Sequence, residues 1–174
     1  MDNRSDKFVF VPFCLLCQAF QAQGIVKYNW SSTITPFVKL LVEKDINIIQ
    51  MPCAESSFHN YKCVVREPKG LKYYNTEEFN IFCEELSNNV YQQIKNILEN
   101  NYKVLAILGI ENSPTCTINY IYTNKGMEKR MGLFMDKLYK KLSDENINIP
   151  FIGINRKSIT KSLNKLTNLI EETL

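Results

Sequence analysis

Cys14, Cys53 and Cys116 each stand just beyond a short apolar run that reads as a buried β-strand. If those runs are parallel neighbours in one sheet, their thiols meet at a single edge although they are far apart in sequence. Soft thiolates converging within a few ångströms are what an iron–sulfur cluster requires and what zinc accepts. Cys14 follows the first run by three residues, Cys53 follows the second by two, and Cys116 lies in the turn after the third. Each loop therefore offers one sulfur to a shared site. The bland alternative is that a free cysteine is a small apolar residue near a core, its commonest fate. That reading suits Cys83, on the apolar stripe of a long helical segment, and Cys63, in a loop with no partner in sequence.

Other reactive side chains share these loops. Glu55 stands two residues past Cys53, and Ser113 three before Cys116. A carboxylate beside a metal site moves protons, and a hydroxyl there holds a substrate by hydrogen bonds. The structural alternatives are a turn cap for Glu55 and initiation of the Ser-Pro turn for Ser113. Cys14-Leu15-Leu16-Cys17 is also a C-x-x-C, which reads as a redox pair or half of a metal site. Zinc would want a fourth ligand. The one histidine, His59, lies six residues after Cys53 and is either that ligand or a solvated loop residue.

Four continuously apolar runs would position these loops: Phe8 to Val11 before Pro12, Ile46 to Met51 before Pro52, Val104 to Ile110, and Phe151 to Ile154. Continuous rather than alternating hydrophobicity is the pattern of strands buried on both faces of a parallel sheet. Helical periodicity fills the gaps, over Thr35 to Lys44, Asn75 to Asn101, about Met131 to Leu142, and Ser158 to Leu174. The alternation predicts an α/β fold, a single domain over 1–174. Its form would be a Rossmann-like three-layer sandwich with a mainly parallel sheet of about four strands. Ser56 to Tyr74 and Thr117 to Gly126 read as long irregular segments over the crevice at the strand ends.

Composition narrows the function classes. With 174 residues, 45% hydrophobic and 22% charged, the chain is long enough for one full core and too apolar to be disordered. The net charge of +3 is spread along the length, with no concentrated basic face for a nucleic-acid polymer or a membrane. The first seven residues lack the apolar core of a signal peptide, and Phe8 to Cys17 is about half a membrane span, so a cytoplasmic location is expected. In a reducing compartment the six cysteines are thiols or metal ligands rather than disulfides. A nucleotide-binding module with incidental cysteines is disfavoured, since no strand-to-helix turn carries G-x-G-x-x-G or a P-loop. The apolar pattern does not distinguish a core helix face from a dimer face, so it assigns no oligomeric state.

Four segments taken together resemble a family of small bacterial proteins that includes the thiouracil desulfurases. They are Pro12-Phe13-Cys14-Leu15-Leu16 with Gly24 downstream, Gln50-Met51-Pro52-Cys53-Ala54-Glu55, Gly109 to Cys116, and Gly132-Leu133-Phe134-Met135-Asp136-Lys137-Leu138. The resemblance implies a [4Fe-4S] cluster held by only three cysteines, Cys14, Cys53 and Cys116. One iron is left open for the sulfur of a thiolated nucleobase or similar small thiocarbonyl compound. It also implies that Glu55 moves the proton for water attack and that Ser113 orients substrate or water. Three positions depart from the family pattern: Ala54 replaces a proline, Thr117 replaces a small residue, and Cys17 replaces a non-cysteine residue. Cys17 opens the alternative of a fully ligated, non-catalytic iron–sulfur or zinc protein that senses redox state or carries sulfur.

Overall fold

The computed structural model describes residues 3–26, 31–59 and 67–173; Cys63 lies outside them. Four parallel strands form the central sheet in the order β2-β1-β3-β6: β1 (Lys7–Pro12), β2 (Asn47–Met51), β3 (Lys103–Ile110) and β6 (Phe151–Ile154). β1 pairs with β2 from Phe8↔Asn47 to Pro12↔Met51, and β3 with β6 from Ile107↔Phe151 to Ile110↔Ile154. Each predicted strand is present within a residue or so, and the layered α/β architecture is the one expected. The chain reverses its direction of travel across the sheet between β1 and β3, where an open parallel sheet has its ligand crevice.

Side chains alternate across β1: Phe10 joins one core, Val9 and Val11 the other. The first core is covered by α5 (Glu77–Glu99) and α6 (Leu133–Asp144), and the second by α2 (Thr35–Glu43) and α7 (Ile159–Thr173). β3 breaks strict alternation. Its register against β1 slips between Phe8 and Val9, with Phe8 opposite Val104 but Val9 opposite Ala106, so Leu105 is an inserted bulge residue. Leu105 and Ala106 consequently both face the second core, while Ile107 returns to the first. Every later side chain of β3 is re-aimed by that insertion.

Three helices return to the sheet through one kind of turn. Asp45, Asn101 and Asn146 adopt left-handed backbone, with φ of 53°, 62° and 57°. In each case the next residue donates back across the turn: Ile46 N to Leu41 O at 2.9 Å, Tyr102 N to Ile97 O at 3.1 Å, and Ile147 N to Leu142 O at 2.8 Å. These are Schellman closures using Asp and Asn where glycine is commonest, because their short polar side chains tolerate that region. α5 begins with an equally local device. The Thr76 side chain accepts from Phe79 N at 3.2 Å, with Glu77 and Glu78 in the first turn.

Two differences from the sequence reading concern the segments over the crevice. The stretch before α5 contains α3 (Ala54–Phe58) and α4 (Leu71–Tyr74), and α5 starts at Glu77 rather than Asn75. Thr117 to Gly126 is not wholly irregular: β4 (Tyr120–Thr123) pairs antiparallel with β5 (Gly126–Lys129) in a separate hairpin. Its strands are four residues long and largely polar, too short for periodicity to declare. Among the described residues no helix is long and apolar enough to cross a membrane.

Candidate metal and substrate site at the strand ends

Cys14 lies in the short helix α1 (Phe13–Leu16) directly after β1. Cys53 is the N-cap residue of α3, so Glu55 falls in that helix's first turn. Cys116 ends the Ser113–Cys116 turn after β3. These three thiols, Glu55, Ser113 and Arg156 line one cavity of about 340 Å³. Pro68 to Leu71 and Ile121–Tyr122 line it too, so both long segments over the crevice contribute wall. The cavity lies at the carboxyl ends of all four parallel strands.

The β3 turn is shaped by its own polar atoms. Ser113 Oγ accepts from Thr115 N at 3.3 Å and Cys116 N at 3.1 Å, and Ile110 N donates to Cys116 O at 3.1 Å. The turn also serves α6. Leu133 N donates to Pro114 O at 3.0 Å, while Phe134 N and Met135 N share Thr115 O at 3.1 and 3.2 Å. Loop carbonyls thus satisfy the helix's first N–H groups in place of a side-chain cap. Gly109 and Gly132 make this docking sterically feasible. A Cβ on Gly109 would collide with Cys116 O, and one on Gly132 with the Thr115 carbonyl and with Cys116 N at 2.7 Å.

Glu55 is 7% exposed. Its Oε1 accepts from Thr115 Oγ1 at 3.0 Å and Ser113 Oγ at 3.4 Å, joining α3 to the β3 turn. Sequence reasoning missed a second buried carboxylate, Glu111, which organises the following loop. Its Oε2 accepts from Thr117 Oγ1 at 2.7 Å, Asn119 N at 3.2 Å and Tyr120 N at 3.3 Å, and its Oε1 from Asn119 Nδ2 at 2.5 Å. Thr117, one of the three departures from the family pattern, is therefore a donor in this network. Asn112, left-handed at φ 64°, ties the hairpin down by accepting from Tyr122 N at 2.7 Å.

The cysteines feel one another electrostatically. Burial pushes the Cys116 thiol well above its usual range, and the Cys53, Cys14 and Glu55 charges push it further, against a lowering hydrogen bond from Thr115. Three acidic donors lining one cavity ionise together only beside positive charge. That is the donor chemistry of a thiolate-bound cluster, and in donor type the three cysteines suit one. Among the described residues no three His, Cys, Asp or Glu side chains are grouped so as to hold a single metal ion. A cubane makes no such demand, since its thiolates bind different irons and stand farther apart than ligands on one ion.

The remaining sequence candidates fall elsewhere. Cys17 closes α1, its N–H bonded to Phe13 O at 3.0 Å, and does not line the cavity. His59 ends α3 with its ring edge-on to Phe58 at 5.4 Å and is also absent from the cavity wall. Cys83 is fully buried in the first core. The described cysteines carry no disulfide. Arg156, Thr115 and Gln21 were not singled out from the sequence, although Arg156 follows the end of β6 by two residues and the strand-end rule that found the cysteines applies to it equally.

No family model matches the chain, and no curated protein matches it in sequence. A solved structure of a [4Fe-4S]-dependent thiouracil desulfidase, TudS, is similar over 93% of this chain and 99% of its own, with a TM-score of 0.50 and 14% sequence identity. At that identity the likeness is one of fold. This chain thus has the architecture of that desulfidase, with three thiols of its own gathered at the crevice.

Proposed function

We propose that the protein is a [4Fe-4S]-dependent desulfurase that removes sulfur from a small thiocarbonyl compound of the thiolated-nucleobase class. The observation that carries this reading is that Cys14, Cys53 and Cys116, from three separate strand ends, line the same cavity as Glu55 and Ser113. The reaction is a hydrolysis: water oxygen replaces sulfur on carbon, both water protons leave with sulfur as hydrogen sulfide, and no oxidant or reductant is consumed.

Cys14, Cys53 and Cys116 would hold the cluster. When bound, it supplies an iron without a protein ligand, a Lewis acid for the substrate sulfur. Glu55 takes a proton from the attacking water and passes it toward the leaving sulfur. Its carboxylate is held for this by the Thr115 and Ser113 hydroxyls. Ser113 has already accepted two backbone N–H groups, so its one proton is its contribution, directed to Glu55 or to a bound substrate atom.

Anaerobic purification followed by iron, acid-labile sulfide and low-temperature EPR measurements tests the reading. About four irons and four sulfides per chain are expected, with sulfide released from a thiolated base. Glu55→Gln should lower turnover by about 10² to 10⁴-fold, the range for general acid–base catalysis, at unchanged iron content, and Ser113→Ala should lower it too. Zinc alone, or no metal after anaerobic reconstitution, overturns the proposal.

A further inference from the structure

Arg156 sits in the turn between β6 and α7, and Asn155 fixes the backbone there. Asn155 Oδ1 accepts from Lys157 N at 2.9 Å, its carbonyl accepts from Ser158 N at 3.0 Å, and its own N–H donates to Ser162 Oγ at 3.0 Å. From this turn the guanidinium reaches the cavity wall, where Nη1 donates to Gln21 Oε1. Gln21 is 6% exposed and held in turn. Its Nε2 donates to Gln18 Oε1 at 3.4 Å and Cys14 O at 3.5 Å, and Gln18 Nε2 donates to Thr33 O at 3.0 Å. A line of amides thus tethers the guanidinium in one place.

The side chain that accepts from the guanidinium is a neutral amide. Among the described residues Gln21 is the hydrogen-bond partner of Arg156, and no carboxylate pairs with it. Glu55 shares the cavity but is engaged by two hydroxyls. Burial disfavours the charged guanidinium, while the Cys14 and Glu55 charges favour it. A partly buried cation answered by a neutral amide is costly unless an anion joins it. A guanidinium has five N–H donors in a planar fork, and one of them suffices for Gln21. The rest suit a carboxylate or a delocalised oxyanion edge.

We infer that the substrate is an anionic thiocarbonyl compound, whose negative charge, on a carboxylate substituent or an ionised ring edge, is received by Arg156. The thiocarbonyl half of this statement rests on the desulfurase reading; the anion site rests on the Arg156–Gln21 geometry.

The test is calorimetric binding of three sulfur-free probes to anaerobically purified protein, with iron measured on the same sample. Uracil is neutral near pH 7, orotate adds a carboxylate to that ring, and barbiturate carries its charge in the ring. The parent should bind at least one anion about tenfold or more tighter than uracil, as charge-assisted bonds imply. A preference for orotate assigns the charge to a substituent, and one for barbiturate assigns it to the ring. Arg156→Gln should erase the preference, lowering anion affinity to about that of uracil. Arg156→Lys, which keeps the charge without the fork, should retain only part of it and serves if the first variant fails to fold. Equal affinity for all three probes, no binding of either anion, or a preference that survives both variants overturns the inference. Iron content separates the two readings. A protein that stays iron-free after anaerobic reconstitution yet prefers anions removes the desulfurase and keeps the anion site, whereas an iron-loaded protein without the preference removes only the anion site.

Discussion

Thr115 Oγ1 donates to Glu55 Oε1 at 3.0 Å, although 60 residues separate the two in sequence. Thr115 is fully buried and Glu55 nearly so, so the bond fixes a carboxylate where water is scarce and links the Cys53 helix to the Cys116 turn. Replacing the donor by an isosteric apolar group leaves that carboxylate with less support.

Thr115→Val is therefore expected to cost about 1–3 kcal/mol, the range for exposing an unmet buried polar requirement, whereas Thr115→Ser keeps most of the stability. The midpoint of urea unfolding reads the difference. Equal midpoints for parent and Thr115→Val would show that the hydroxyl contributes nothing to the fold.

Cys17 closes α1 and does not line the cavity that holds the other three thiols. Cys17→Ser should keep the parent's iron content and EPR spectrum, while Cys14→Ser, Cys53→Ser and Cys116→Ser each lose most of their iron. Loss of iron in Cys17→Ser would make the four-cysteine, non-catalytic reading the better one.

Gly132 is pressed against backbone rather than a movable side chain. A Cβ there would stand 2.5 Å from Thr115 O and 2.7 Å from Cys116 N, so Gly132→Ala must displace the turn that presents Cys116. A loss of about 1–3 kcal/mol is expected, typical of overpacking, together with weaker iron retention. Gly70→Ala is the control: nothing lies within 4 Å of its added methyl, and stability should change by less than about 0.5 kcal/mol.

Cys83 lies fully buried on α5, and burial pushes its thiol from 9.0 up to about 12, with Lys137 opposing and Glu55 assisting. A thiol pKa raised by folding means that the unfolded chain loses its proton first. The neutral thiol's contribution is complete below pH 9.0 and is lost as pH rises toward the folded value. Unfolding midpoints measured across that interval should fall more steeply for the parent than for Cys83→Ala. Alkylation followed by mass spectrometry should leave Cys83 unmodified in the folded chain at pH 9.0 and modify it after denaturation.

The amino-acid sequence by itself determined the four parallel strands, the main helices and the placement of one cysteine at each of three strand ends. Those features rest on local signals. Continuous apolar runs cut by Pro12 and Pro52 read as buried strands, three- and four-residue spacing reads as helix, and the order of elements then dictates where the strand ends meet. Glu55 and Ser113 were visible for the same reason, being close in sequence to the cysteines.

Tertiary structure alone decided the rest. The extra residue at Leu105 changes which face of β3 each later side chain takes, and only pairing with β1 shows it. The β4–β5 hairpin is held by Asn112 and the Glu111 loop network rather than by its own weak pattern. Arg156 meets Gln21 across 135 positions, a contact between two unremarkable polar residues that no periodicity encodes. Hydrophobic patterning is repetitive and so is written along the chain, whereas a single polar contact depends on two side chains being aimed at one point by the fold, which is a property of the folded coordinates and not of any window of sequence.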